Sequence, residues 1–160
     1  MTAPVSKNII LQSGDALLLV DVQKDFLSGG ALAVPQGDEV VPVLNRYLNK
    51  FQERSLPVYA SRDWHPSGHC SFAEQGGPWP AHCVQATEGA QFDDALVLPK
   101  SAGIISKAST PNQETYSAFQ ETNLNEKLKA KNIRRLFVGG LATDYCVLNS
   151  VKDAIQLGYT

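Results

Sequence analysis

The apolar positions of this chain change period several times, and each change marks an element. Ala16 to Val20 is an unbroken apolar run, the pattern of a strand covered on both faces. From Asp38 to Arg54 the apolar residues Val40, Val41, Leu44, Leu48 and Phe51 recur at helical spacing, which predicts an amphipathic crossover helix. Val58 to Ser61, after Pro57, reads as a second strand, and Gly103 to Ser106, ending at Lys107, as a short third. Between them, residues 63 to 99 are rich in Gly, Pro, His and Trp with no lasting period, and a loop that long is usually functional. Leu124 to Lys131 is helical, Arg135 to Gly139 is a fourth strand, and Tyr145 to Leu157 is a last helix. The turn into that helix, GGLATDYCV from Gly139 to Val147, predicts Thr143 as its N-cap and Cys146 in its first turn.

Strands that alternate with helices pair in parallel through right-handed crossovers. The expected fold is therefore α/β, a three-layer sandwich with a mainly parallel sheet flanked by helices, in a single domain spanning 1–160. Gly158 signals the end of the last helix just before Thr160, where a further parallel strand would begin. That predicts a C-terminally truncated chain whose C-terminal strand is missing. The 160 residues carry a net charge of -2 and no basic run interleaved with aromatics, which argues against a nucleic-acid partner. Apolar runs of a few residues are too short for a membrane span. Near the N-terminus Lys7 and Ile9 to Leu11 are followed by Gln12, Gly14 and Asp15, which break any signal-peptide core. Three cysteines, at 70, 83 and 146, lack metal-knuckle spacing and predict reduced thiols in a cytoplasmic protein.

In parallel sheets ligands bind beyond the carboxyl ends of the strands, and that is where the chemistry of this chain gathers. Asp21 closes the first strand, Asp63 and His65 the second, Lys107 the third, and Cys146 follows the fourth. Singly these residues read as turn formers, a solvated lysine or a packing cysteine; together at one end of the sheet they predict a site. A helix N-terminus contributes roughly 0.3 to 1 kcal/mol, too little to make a nucleophile of a thiol whose ordinary pKa is about 8.5. Cys146 therefore needs a nearby cation or base. Asp63 and His65 stand two apart on an extended segment, which sends both side chains to one side and Trp64 to the other. With His82 they form a carboxylate and two imidazoles suited to Zn, Fe or Mn, with open positions left over. His69 is either a fourth ligand or a loop histidine, and Cys70 and Cys83 read as packing residues.

Five stretches then carry a resemblance: ValAspValGlnLysAspPhe at 20 to 26, ArgAspTrpHisPro at 62 to 66, TrpProAlaHisCysVal at 79 to 84, the strand end at Lys107, and GlyGlyLeuAlaThrAspTyrCysVal at 139 to 147. In this order they resemble the nicotinamidase/pyrazinamidase family of isochorismatase-like cysteine hydrolases, from about residue 16 to the end. The resemblance implies the isochorismatase-like fold, a catalytic triad of Asp21, Lys107 and Cys146, and a divalent metal, zinc before iron or manganese, on Asp63, His65 and His82. It also implies an oxyanion hole from the amides of Ala142 and Cys146 and a cis peptide between Leu141 and Ala142. Phe26, Trp79 and Tyr116 are candidates to pack against a substrate ring, with ordinary core packing as the other reading. The implied reaction is hydrolysis of nicotinamide, and of pyrazinamide, to acid and ammonia through a cysteine thioester, in NAD salvage. The expected partners are a small-molecule amide substrate and further copies of this chain in a homo-oligomer. Two rivals are a related cysteine amidohydrolase for another small amide or ureide, and a metal-hydroxide hydrolase of the same fold in which Cys146 is structural. A metal-binding domain without catalysis is a third.

Overall fold

The structure, a computed structural model, describes residues 8–160; Lys7 lies outside the described residues. Four strands, β1 (Asp15–Val20), β2 (Val58–Asp63), β3 (Gly103–Lys107) and β4 (Arg135–Gly140), form one sheet in the order β3-β2-β1-β4. Every pairing is parallel, with Leu17 beside Val58 and Phe137, and Asp63 beside Lys107. Helix α1 (Val40–Glu53) crosses from β1 to β2 and α2 (Leu124–Ala130) from β3 to β4, while α3 (Leu148–Gln156) follows β4. β1 is buried along its whole length, as its unbroken apolar run predicts for a central strand with both faces covered.

Alternate residues of β1 feed two separate cores. Leu17 and Leu19 pack with Val41, Leu44, Leu48 and Phe51 of α1, while Ala16, Leu18 and Val20 pack with Leu124, Leu128 and Ala154 of α2 and α3. The sandwich is thus three layers, and the period-2 geometry of one strand ties them together.

Three boundaries differ from the sequence reading by more than one residue. α1 starts at Val40, because a 3-10 turn at Gly37–Glu39 takes up the residues before it. β2 runs on to Asp63, so this residue belongs to the strand rather than the loop. The last helix begins at Leu148; before it, Thr143–Val147 forms a single π turn, and Thr143 is inside that turn without a capping hydrogen bond. The chain after α3 lies along β4 on the edge away from β1: Thr160 N–H donates to Arg134 O (3.0 Å), and Leu136 N–H donates to Thr160 O (2.9 Å).

Candidate active site

β1, β2 and β3 end level with one another, and their last or next residues meet below the π turn. Val20 closes β1, and Asp21 then turns into the left-handed region at φ 50°, which Asp tolerates better than most residues. Its N–H still reaches Ser61 O at 3.1 Å, so the carboxylate is fixed under the sheet end. On the other side, Leu141 N–H donates to Val20 O at 2.9 Å and carries the β4 chain past Asp21 into the turn that holds Cys146. Gly140 makes this approach possible. At φ +139° it lies so close to β1 that an added Cβ would fall 2.1 Å from Val20 O.

The triad residues implied by the resemblance come together and are buried: Asp21 is 0% exposed, Lys107 1% and Cys146 6%. Lys107 Nζ lies 2.9 Å from Asp21 Oδ2, 3.4 Å from Cys146 Sγ and in direct contact with Asp63 Oδ1. Ser61 Oγ donates to Asp21 Oδ1 at 2.7 Å. Asp21 Oδ2 has the ion pair but no well-directed hydrogen-bond donor among the described residues, which leaves it a lone pair beside the thiol.

The electrostatics follow from one cation shared by two carboxylates. Burial raises the Asp21 carboxyl above its ordinary 3.8; Lys107 opposes this, and the nearby Asp63 charge adds to it. Burial pulls in the same direction on Asp63, yet Lys107 and then His65 outweigh it and hold that carboxyl below the ordinary value. Lys107 is pushed down by burial and up by both carboxylates, and ends well above its usual range. Burial lifts the Cys146 thiol well above its usual value, Lys107 draws it down, and the carboxylates raise it further. Burial first, and then the two carboxylates that share Lys107, thus favour the thiol form of Cys146 at rest.

Beside this triad, Asp63, His65 and His82 bring one ligand atom each within 4.8 Å of the others, all three buried. Their donor chemistry suits a divalent metal. His65 Nδ1 donates to His82 O (3.0 Å) and His82 Nδ1 to Pro80 O (2.7 Å), so each ring directs its Nε2 lone pair inward. Asp63 gives Oδ1 to Lys107, and its Oδ2 lies 3.9 Å from His82 Nε2. Burial lowers His65 to about 4, against the opposing pull of Asp63, and so keeps the imidazole neutral as a ligand must be. Trp64 points away, as the two-residue period requires, and takes the Arg62 guanidinium over its ring at 3.7 Å. His69 lies against His65, ring centroids 4.4 Å apart, and with His65 and Glu114 brings a second group of donor atoms within 4.8 Å of one another. Ser71 N–H donates to its Nδ1 (3.2 Å) and its Nε2 donates to Gln113 O (3.0 Å). Cys83 is buried in the α1-side core, and all three cysteines are free.

The three aromatics divide. Phe26 packs edge-on to His82 at 5.5 Å and belongs to the core. Trp79 Nε1 donates to Tyr116 Oη at 3.2 Å, and both rings lie against Tyr145, at 5.1 and 5.6 Å. Tyr145, next to Cys146 and 41% exposed, joins this cluster at the surface, although the sequence marked it only as the start of a helix. The peptide Leu141–Ala142 is cis. Tyr145 and Val147 N–H both donate to Ala142 O, while the Ala142 N–H has no acceptor among the described residues. A groove of about 550 Å³ between α1 and β4 reaches Gly140, Leu141 and Thr143 but is lined by none of the triad or metal-ligand residues.

Known proteins resemble this chain in sequence and in fold. The isochorismatase domain matches residues 15–160. The Escherichia coli nicotinamidase is 47% identical over 90% of this chain and 78% of its own length. Among solved structures, a Pyrococcus horikoshii pyrazinamidase in complex with zinc is 48% identical with a TM-score of 0.89, covering 91% of this chain and 80% of the other. PnC1 from L. infantum in complex with nicotinate is 36% identical, also with a TM-score of 0.89, over 95% and 79%. The chain belongs to the isochorismatase-like hydrolase family, among its nicotinamidase/pyrazinamidase members.

Proposed function

We propose that this chain is an amidohydrolase that converts nicotinamide, and pyrazinamide, to the carboxylic acid and ammonia. The observation that carries this reading is a buried thiol 3.4 Å from Lys107, with the Asp21 carboxylate on the same lysine and a metal-ligand set adjoining it. Cys146 is the nucleophile. It rests as a thiol, so Asp21 must take its proton as Sγ attacks the amide carbon, and the raised carboxyl and open Oδ2 of Asp21 suit that task. Lys107 stays charged and keeps Asp21 ionised for the first step. The same proton passes to the departing amine, which leaves as ammonia, and water then hydrolyses the thioester with Asp21 as base. The Ala142 N–H, which lacks an acceptor, and the Cys146 N–H receive the oxyanion.

Asp63, His65 and His82 would hold a divalent ion, and we assign zinc, which the Pyrococcus horikoshii relative binds. When bound, that ion supplies a Lewis-acid contact for a ring nitrogen and so orients the substrate. Trp79 and Tyr116 flank the ring, with Phe26 behind His82. The free thiols suit a reducing compartment, and we place the reaction in the cytoplasm, in NAD salvage. The test is to incubate zinc-loaded protein with nicotinamide and with pyrazinamide and to quantify ammonia and acid. Equimolar release of both is expected. Folded, metal-loaded protein that releases ammonia only from some other small amide, or from none, would overturn this reading.

A further inference from the structure

Asp63 belongs to both halves of the site, since one carboxylate oxygen meets Lys107 and the other faces His82. Its backbone is held in an unusual way. Along β2, alternate residues turn their peptide groups to opposite neighbours. Trp64 N–H donates to Lys107 O on the β3 side, whereas Ser61 O accepts from Asp21 on the β1 side. Asp63 faces the β1 side too, but β1 has ended at Val20 and its chain has turned away at Asp21. The peptide groups of Asp63 would be buried without a partner, at a cost of about 1–3 kcal/mol each.

Gln23 takes the place of the absent strand with its side chain. Its Nε2 donates to Asp63 O (2.8 Å), its Oε1 accepts from Asp63 N–H (2.8 Å), and its second Nε2 hydrogen goes to Ala90 O (2.9 Å). A primary amide offers the same donor and acceptor as a peptide, so the ladder continues one residue past the strand. Gln23 is 0% exposed. Two residues on, Asp25 Oδ2 accepts from Cys83 N–H (2.7 Å) and Oδ1 from Ala31 N–H (3.2 Å), which ties down the loop carrying His82.

We propose that Gln23 is a positioning residue of the metal centre: acting as a one-residue strand, it sets the Asp63 carboxylate between Lys107 and the two imidazoles. Asp25 serves His82 in the same manner through the Cys83 amide. This rests on the reading that Asp63, His65 and His82 hold a divalent ion. Neither Gln23 nor Asp25 touches the reacting atoms.

Zinc affinity separates positioning from mere support of the fold. Gln23→Met keeps the length and volume of the side chain and removes its three hydrogen bonds. Leu48→Ala weakens the core under α1 without touching the site. Zinc dissociation constants would be measured on folded protein by competition with a chromophoric chelator, beside thermal melts of the metal-free forms. Gln23→Met is expected to bind zinc about 10–100-fold more weakly, the effect typical of groups that orient metal ligands. Its activity is expected to fail at limiting zinc and to return with excess, while Leu48→Ala keeps wild-type affinity despite an equal or larger loss of stability. Wild-type affinity in Gln23→Met, or an equal weakening in Leu48→Ala, overturns the proposal. Should Gln23→Met not fold, Asp25→Ala carries the same expectation and the same contradicting result. Wild-type protein that binds no zinc overturns the metal reading and this inference together; wild-type protein that binds zinc beside an unaffected variant overturns this inference alone.

Discussion

Lys107 is the residue on which the site's charge balance turns, because one ammonium sits between two buried carboxylates. Removing it as Lys107→Met leaves Asp21 and Asp63 facing each other without compensation. The expected cost is about 3–5 kcal/mol of stability, read from urea unfolding at neutral pH, together with loss of ammonia release. Asp21 makes a second prediction. As a base it must be ionised, and burial raises its carboxyl above the ordinary 3.8. The acid limb of kcat/KM should therefore lie above the ordinary carboxylate range, with activity falling as pH drops through the raised value; a limb at or below about 4 would contradict it. The charged residues and the candidate metal ligands were legible in the sequence because each stands at a strand end or beside a strong motif. Gln23 and Ser61 were not. Their partners are an amide and a carboxylate 40 positions away, and nothing in local patterning marks such a contact.

At the scale of elements, the join between β1 and β4 decides how Asp21 and Cys146 meet. Gly140 has a positive φ and no room for a Cβ against the Val20 backbone, whereas a Cβ on Gly139 would meet only Leu44 Cδ2, the end of a flexible side chain. Gly140→Ala is expected to cost about 1–3 kcal/mol or more and most of the activity, and Gly139→Ala markedly less, as chemical melts and turnover assays would show. The other end of this strand pair carries an ion pair, with Arg135 2.8 and 2.6 Å from the Asp15 carboxylate oxygens. Burial raises the Asp15 carboxyl, but Arg135 and the Gln12 N–H outweigh it and hold it below 3.8. A depressed carboxyl stabilises the fold above its unfolded value and loses that contribution as pH falls through the folded one. Asp15→Asn should thus lower the urea midpoint at pH 7, and the gap from wild type should close as pH falls through the depressed folded value. The strands and α1 were readable from period alone. The π turn was not, since a five-residue turn leaves the same apolar positions as the first turn of an α-helix.

For the whole molecule, the parallel order predicted from alternating strands and helices is what places four strand ends on one side. The long segment between β2 and β3 reads in the sequence as a loop with no lasting period. It is instead pinned by short 3-10 turns at Ala73–Gln75 and Glu88–Ala90 and by isolated bridges such as His65 to Val84, contacts too short to leave a period in the sequence. This segment delivers His82 and Trp79 to the site, so the metal should stabilise more than its ligands. Stripping the protein with a chelator is expected to lower its melting midpoint, by an amount that corresponds to about 2.7 kcal/mol when free zinc stands a hundredfold above Kd. Restored zinc should recover it, and a midpoint indifferent to chelation would contradict the metal centre.

The central claim is that Cys146, activated by Asp21 beside Lys107, is the nucleophile. Ammonia release from nicotinamide by wild-type protein and by Cys146→Ala, each with its bound metal quantified, tests it most directly. The account predicts turnover in the wild type and none above background in the variant, at equal metal content. Turnover retained by metal-loaded Cys146→Ala would contradict it and move the chemistry to the metal.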